Sequence, residues 1–183
     1  MLPSGLMSPA ERGPSVSETQ IIHKYVIALG SNQRHPKIGT PVSVMSAALE
    51  ALNASPLRVL AHSKYVASRP IGPSLRNYVN AAALIETTLE PDKLLRHLKG
   101  LEARFGRRIS GQAWRARVLD LDIILWSGGI WAEPKLSVPH RLFRNRTFVL
   151  DPVVTIAPDW RDPISGLSIR HLKVRLDRAG RQS

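Results

Sequence analysis

The chain has no cysteine, so it can form neither a disulfide nor a thiolate metal site. Aromatic residues make up only 5% of it, a poor supply for the base-stacking platforms of RNA-recognition modules. No apolar run approaches the length that crosses a bilayer, and no long apolar segment near the start marks a secretory signal. Acidic residues are scarce too: 14 Asp and Glu stand against 26 Lys and Arg, a formal net charge of +12. Such an excess favours polyanionic partners, whether nucleotide, phosphate ester or nucleic acid. These absences fit a cytoplasmic protein with no membrane partner. With 183 residues, 43% of them hydrophobic, the chain can bury the core of one domain.

The charge is uneven. Residues 96–117 hold seven Lys or Arg against Glu102 alone. Such a run is either a solvated face, as expected for Arg96 and Lys99, or a phosphate-facing loop. It leads into Arg117-Val118-Leu119-Asp120-Leu121-Asp122-Ile123-Ile124-Leu125-Trp126. That stretch is rich in β-branched and apolar residues without Gly or Pro, and it predicts a strand. Alternation puts Asp120 and Asp122 on one face and Leu121, Ile123 and Leu125 on the other. Two residues of rise separate the carboxylates by roughly 6–7 Å. From the residues alone the pair is either solvated on an edge strand or holds one or two hard cations.

Upstream, residues 1–24 carry scattered Pro, Gly and Ser with no period, and a disordered tail is expected there. Tyr25 to Leu29 is nearly all apolar, which predicts a central strand covered on both faces. Gly30-Ser31-Asn32 follows as a turn that exposes backbone N–H groups. Thr40-Pro41 opens a helix as cap and first-turn proline. Val44, Ala47, Ala48, Ala51 and Leu52 form its apolar stripe. Residues 57–66 and 78–86 read as strands, with 68–77 a loop. Pro91 to Phe105 reads as a helix stopped at Gly106, and 107–116 as a basic loop. Beyond the Asp strand come a turn at 127–129, a short extended piece at 136–140, a helix from Asn145 to Thr155 with Pro152 in its first turns, and a last helix at 170–176. The order β-α-β-β-α-β predicts an α+β, ferredoxin-like domain over 25–176, a largely antiparallel sheet with helices on one face. Residues 177–183 are expected to be a flexible C-terminal tail.

Several short motifs occur in a telling order: Gly30-Ser31-Asn32, Pro70-Ile71-Gly72, Tyr78-Val79-Asn80, Leu101-Glu102, Phe105-Gly106-Arg107 and Trp114-Arg115-Ala116-Arg117. Then follow Leu119 to Ile123, Val138-Pro139-His140, Arg146 to Leu150 and Ile156-Ala157-Pro158. Over residues 25–160 this resembles the 6-hydroxymethyl-7,8-dihydropterin pyrophosphokinase family of folate synthesis. The resemblance implies transfer of the pyrophosphoryl group of ATP to the pterin hydroxymethyl group, with release of AMP. It implies Asp120 and Asp122 as ligands of two Mg²⁺ ions, and Arg107 and Arg117 as catalytic clamps on the triphosphate. Glu102, Arg117, Ile123, Lys135, Ser137, His140 and Arg146 are implied around ATP. Ser68, Ile71, Tyr78, Asn80, Trp114 and Phe148 are implied around the pterin. A monomer acting on small molecules, with no nucleic acid bound, is the matching expectation. The family's usual Trp-Gly-Pro-Arg reads Trp114-Arg115-Ala116-Arg117 here, which loosens that loop and adds a cation.

A nucleic-acid module would share the charge and the element order. It would lack a reason for the Asp pair, which repels phosphate unless a metal is bound. A catalytically dead relative would lack a reason to keep Asp120, Asp122, His140 and Arg146 together.

Overall fold

Strand β1 (His23–Ser31) sits inside the sheet because both of its faces are apolar. Tyr25, Ile27 and Leu29 point one way and Val26 and Ala28 the other. The computed structural model describes residues 20–69, 76–106 and 118–181. In chain order after β1 come α1 (Pro41–Leu52), β2 (Arg58–His62), β3 (Val66–Ser68), β4 (Tyr78–Thr87) and α2 (Pro91–Arg104). They are followed by β5 (Asp120–Trp126), β6 (Trp131–Glu133), β7 (Leu136–Val138), a 3-10 turn (Phe143–Asn145), α3 (Thr147–Ile156) and α4 (Ile169–Gly180). The main sheet runs β2-β4-β1-β5, with β3 also paired to β4 and every pairing antiparallel. The β6–β7 pair forms a separate two-stranded sheet. The architecture is the α+β, ferredoxin-like one expected.

Helices cover both faces of this sheet, not one. On the first face Val44, Met45, Ala48 and Leu52 of α1 join Leu94, Leu98 and Leu101 of α2 against Tyr25, Ile27, Leu29, Leu121 and Ile123. On the second face Val149, Leu150 and Val153 of α3, with Ile169 and Leu172 of α4, pack on Val26, Ala82, Ile124 and Leu125. The second layer is hard to read from sequence because Pro152 lies inside α3, in its second turn as the sixth residue. Pro152 removes one N–H from the helix ladder, and its ring is buried. Its cap is Arg146, not Asn145, which belongs to the 3-10 turn.

Local signals account for the better-read boundaries. Thr40 caps α1, its Oγ1 accepting from Ser43 N at 3.3 Å. Gly106 takes φ +86° just beyond α2, a conformation that would strain any side chain. The expected strand at 57–66 is divided into β2 and β3, both paired with β4. Gly30 and Ser31 remain inside β1 rather than forming a turn. The first strand starts at His23, inside the stretch expected to be tail, and α4 stays helical to Gly180, past the expected boundary at 176.

One irregularity shapes β5. Val26 pairs with Leu125 and Ile27 with Ile123, so Ile124 is an extra residue bulged out of the ladder. The bulge reverses the alternation after it. Leu125 therefore joins the second core with Ile124, not the first with Leu121 and Ile123.

Candidate active site

Ahead of the bulge the alternation holds, and Asp120 and Asp122 share the face expected. Across the sheet Asn80 pairs with Gly30 and Gly30 with Asp120, so the three residues form one row over β4, β1 and β5. Ala82, Ala28 and Asp122 form the next row. Strand spacing sets the ends of the first row about 10 Å apart. Gly30 leaves its centre bare. A Cβ there would lie 3.6 Å from Asn80 Oδ1 and 4.0 Å from the Tyr78 ring. Asn80 is buried, and its Nδ2 donates to Ser68 Oγ at 2.8 Å and to Val66 O at 3.4 Å. Those bonds turn Oδ1 toward the open position above Gly30. Ser68, Tyr78 and Asn80 are thus drawn together around one small floor.

At the other end of the row the two carboxylates meet cations. Burial raises the Asp122 carboxyl, the Asp120 charge raises it further, and His140, Lys99 and Arg146 pull it back; the net shift is upward. His140 hangs on β5 through its N–H to Ile124 O at 3.0 Å. Its Nδ1 accepts from Leu142 N at 3.2 Å, which leaves the ring proton on Nε2. Burial holds the imidazole below its usual pKa, with the Arg146 charge acting the same way against Asp122 and Asp120. The neutral, Nε2-protonated ring is a hydrogen-bond donor. Arg146 caps α3 and lies over the Phe148 ring at 5.6 Å.

Among the described residues no three His, Asp or Glu side chains could hold a metal together. Two carboxylates alone suit Mg²⁺, which commonly keeps one or two protein carboxylates and takes its other oxygens from water and substrate phosphates. The Asp122 carboxyl stays raised despite the His140, Lys99 and Arg146 charges near it, as suits a pair that takes a further cation.

Behind the pair stands Glu102, fully buried on α2. Its Oε1 accepts from Leu121 N, between the two Asp residues, at 2.8 Å and from Lys99 Nζ at 2.8 Å. Since β5 is an edge strand, this carboxylate does for Leu121 what a neighbouring strand otherwise would. Lys99, expected on a solvated face, thus belongs to the site's charge balance, whereas Arg96 does pair with Asp92 on the exposed side of α2. The Ile123 side chain faces the first core, leaving only its backbone for a ligand. Ser137 is half-buried in β7 with its Oγ on Pro139 O at 3.5 Å, and Lys135 is exposed in the β6–β7 turn. Phe148 packs partly in the second core. Ile71, Arg107, Trp114 and Arg117 lie outside the described residues.

Residues 26–158 match the family model of the 7,8-dihydro-6-hydroxymethylpterin-pyrophosphokinases (HPPK). The chain belongs to the HPPK family. A curated HPPK relative, the 2-amino-4-hydroxy-6-hydroxymethyldihydropteridine pyrophosphokinase of Haemophilus influenzae, is 42% identical over 135 residues, 73% of this chain and 81% of that protein. The enzyme of the same name from Synechocystis is 35% identical over 159 residues, 86% of this chain and 78% of that one. Among solved structures, Plasmodium falciparum HPPK-DHPS superposes with a TM-score of 0.70 at 13% identity, over 91% of this chain. This chain spans 45% of that one, so the likeness speaks for the HPPK fold alone. The motif resemblance and the fold expected from it both hold.

Proposed function

We propose that this chain transfers the pyrophosphoryl group of ATP to the hydroxymethyl group of 6-hydroxymethyl-7,8-dihydropterin, releasing AMP, as a step of folate synthesis. The row Asn80–Gly30–Asp120 carries the reading. It offers a hydrogen-bond acceptor, a bare floor and a carboxylate in line, at a span suited to a flat bicycle with a short alcohol arm. Asn80 Oδ1 accepts from the ring's amino edge. Tyr78 and Phe148 are the described aromatics for its faces, and Trp114 is a further candidate. The alcohol arm then points along the row to Asp120 and Asp122.

Two Mg²⁺ ions held by that pair would neutralise phosphate charge and lower the pKa of the attacking alcohol. The chain's own groups do the rest by positioning, which is most of what such a transfer requires. His140 donates from Nε2 to a phosphate oxygen. Arg146 supplies a fixed positive charge beside it, and Arg107 and Arg117 act as bidentate clamps on the triphosphate. The backbone of Ile123, with Ser137 and Lys135, lies on the nucleotide side, and Glu102 holds the strand between. The protein works on these small molecules as a monomer and has no nucleic-acid substrate.

The test is the nucleotide product. AMP should form from ATP when the pterin alcohol and Mg²⁺ are both present, and not when the alcohol is left out. Release of ADP, or AMP formation that ignores the alcohol, would overturn the reading.

A further inference from the structure

The family match ends at residue 158, yet a residue beyond it grips the segment between His140 and Arg146. Asp162 has no exposed side-chain surface and lies in the loop between α3 and α4. Its carboxylate accepts from Arg144 Nε at 2.8 Å and Arg144 Nη2 at 2.5 Å, a two-pronged bridge. Ser165 Oγ, Ser165 N and Ile164 N donate to the same two oxygens. The loop is tied again by Asp162 N to Leu167 O at 2.9 Å and Gly166 N to Asp162 O at 2.8 Å. The carboxylate is thus held on every side, and what it holds in return is Arg144.

Arg144 sits midway in the arm that bears His140 and Arg146. That arm hangs from β5 at His140 N. Phe143 N donates to His140 O at 3.2 Å and Arg146 N to Phe143 O at 3.4 Å, so the backbone bonds pass from one functional residue to the other through the 3-10 turn. Phe143 is fully buried, with the Arg144 guanidinium over its ring at 4.7 Å. A planar guanidinium gripped at two atoms fixes orientation as well as distance.

We propose that Asp162 is a positioning residue for phosphate binding, acting through Arg144 to set the relative placement of His140 and Arg146. This rests on those two residues facing the ATP phosphates. Asp162 does not touch substrate. A turn displaced by about 1 Å would spoil the placement of both donors.

The experiment compares Asp162→Asn and Arg144→Lys with the parent, at a temperature well below each variant's melting point. Asn keeps the size of Asp without its charge; Lys keeps the charge of Arg without its second prong. The dissociation constant of a non-hydrolysable ATP analogue, measured by calorimetry, and KM for ATP should both rise about tenfold or more. KM for the pterin alcohol should stay unchanged within error. A rise in both KM values alike would mean general loosening and would overturn the proposal. So would a lower melting temperature with unchanged ATP binding. His140→Ala and Arg146→Ala serve as references. If they too bind the analogue as the parent does, the phosphate reading fails and this proposal with it. If they weaken binding and the bridge variants do not, only this proposal falls. Should Asp162→Asn fail to fold, Arg144→Lys alone decides between these outcomes.

Discussion

Asp122 is a half-buried acid beside another acid, a combination that costs stability unless a cation answers it. Asp120→Asn and Asp122→Asn should therefore each fold, and each should lose AMP formation by about three orders of magnitude, roughly 4 kcal/mol of transition-state stabilisation. The double variant should be little worse than either single, since the carboxylates act as a unit. The raised carboxyl gives a second readout in EDTA. A native carboxyl whose pKa is raised is penalised only when ionised, so its cost is absent below the ordinary carboxylate pKa and full above the raised one. Asp122→Asn should thus melt above the parent at neutral pH, and the gain should vanish as pH falls through that window. Near-full activity in either single variant would sink the metal reading. Gly30 answers a different question. An added methyl would make only ordinary contacts, 3.6 Å to Asn80 and 4.0 Å to Tyr78, so Gly30→Ala should melt like the parent. The methyl would occupy the centre of the proposed pterin floor, and KM for the pterin alcohol should rise about tenfold, as expected for lost contact area and misplacement. An unchanged KM would place the pterin elsewhere.

At the level of elements, β5 shows what the sequence revealed and what it concealed. The Asp120–Leu121–Asp122 alternation was legible because period-two patterning is local. The bulge at Ile124 was not, because Ile124-Leu125 fits either face and only the register against Val26 and Ile27 settles it. The cap of α1 at Thr40 and the stop of α2 at Gly106 were legible because cap chemistry is local as well. The roles of Lys99 and Gly30 were hidden. Gly30 depends on Asn80, far along the chain on β4, and Lys99 on Glu102, three residues on but itself bonded to the distant Asp strand. The outer edge of β5 yields a prediction of its own. Glu102→Ala would leave the buried N–H of Leu121 without its acceptor, at about 1–3 kcal/mol. In a chain of this size the melting point should fall by several degrees, while Glu102→Gln, which keeps an acceptor oxygen, should recover much of it. Equal melting of the Ala variant and the parent would mean that β5 does not need this anchor.

For the molecule as a whole, the second helical layer decides how far the domain extends. The face of the sheet that carries Asp120 and Asp122 is also the face on which α3 and α4 pack: Val26 and Ala82 belong to that core, and Ala28 beside them pairs with Asp122. A domain ending where the family match ends would leave that layer incomplete. Helix α4 contributes Ile169, fully buried, and Leu172, nearly so. It is also tied to α3 by Lys173 to Asp151 at 3.1 Å. Burial of two such side chains contributes about 3–6 kcal/mol. Set against a total stability of about 5–15 kcal/mol, that is a large share, while the Lys173 pair adds about 1 kcal/mol at most. Removing residues 169–183 should therefore lower the melting temperature by about 10 °C or more. It should also expose apolar surface on the second core, detectable by binding of a hydrophobic dye. Ile169→Ala with Leu172→Ala in the full-length chain should reproduce most of the loss, because the apolar contacts outweigh the ion pair. If the truncated chain melts like the parent, α4 is an appendage and the second core closes on α3 alone. If it is destabilised but the double Ala variant is not, the backbone and charge contacts of α4 carry the layer instead.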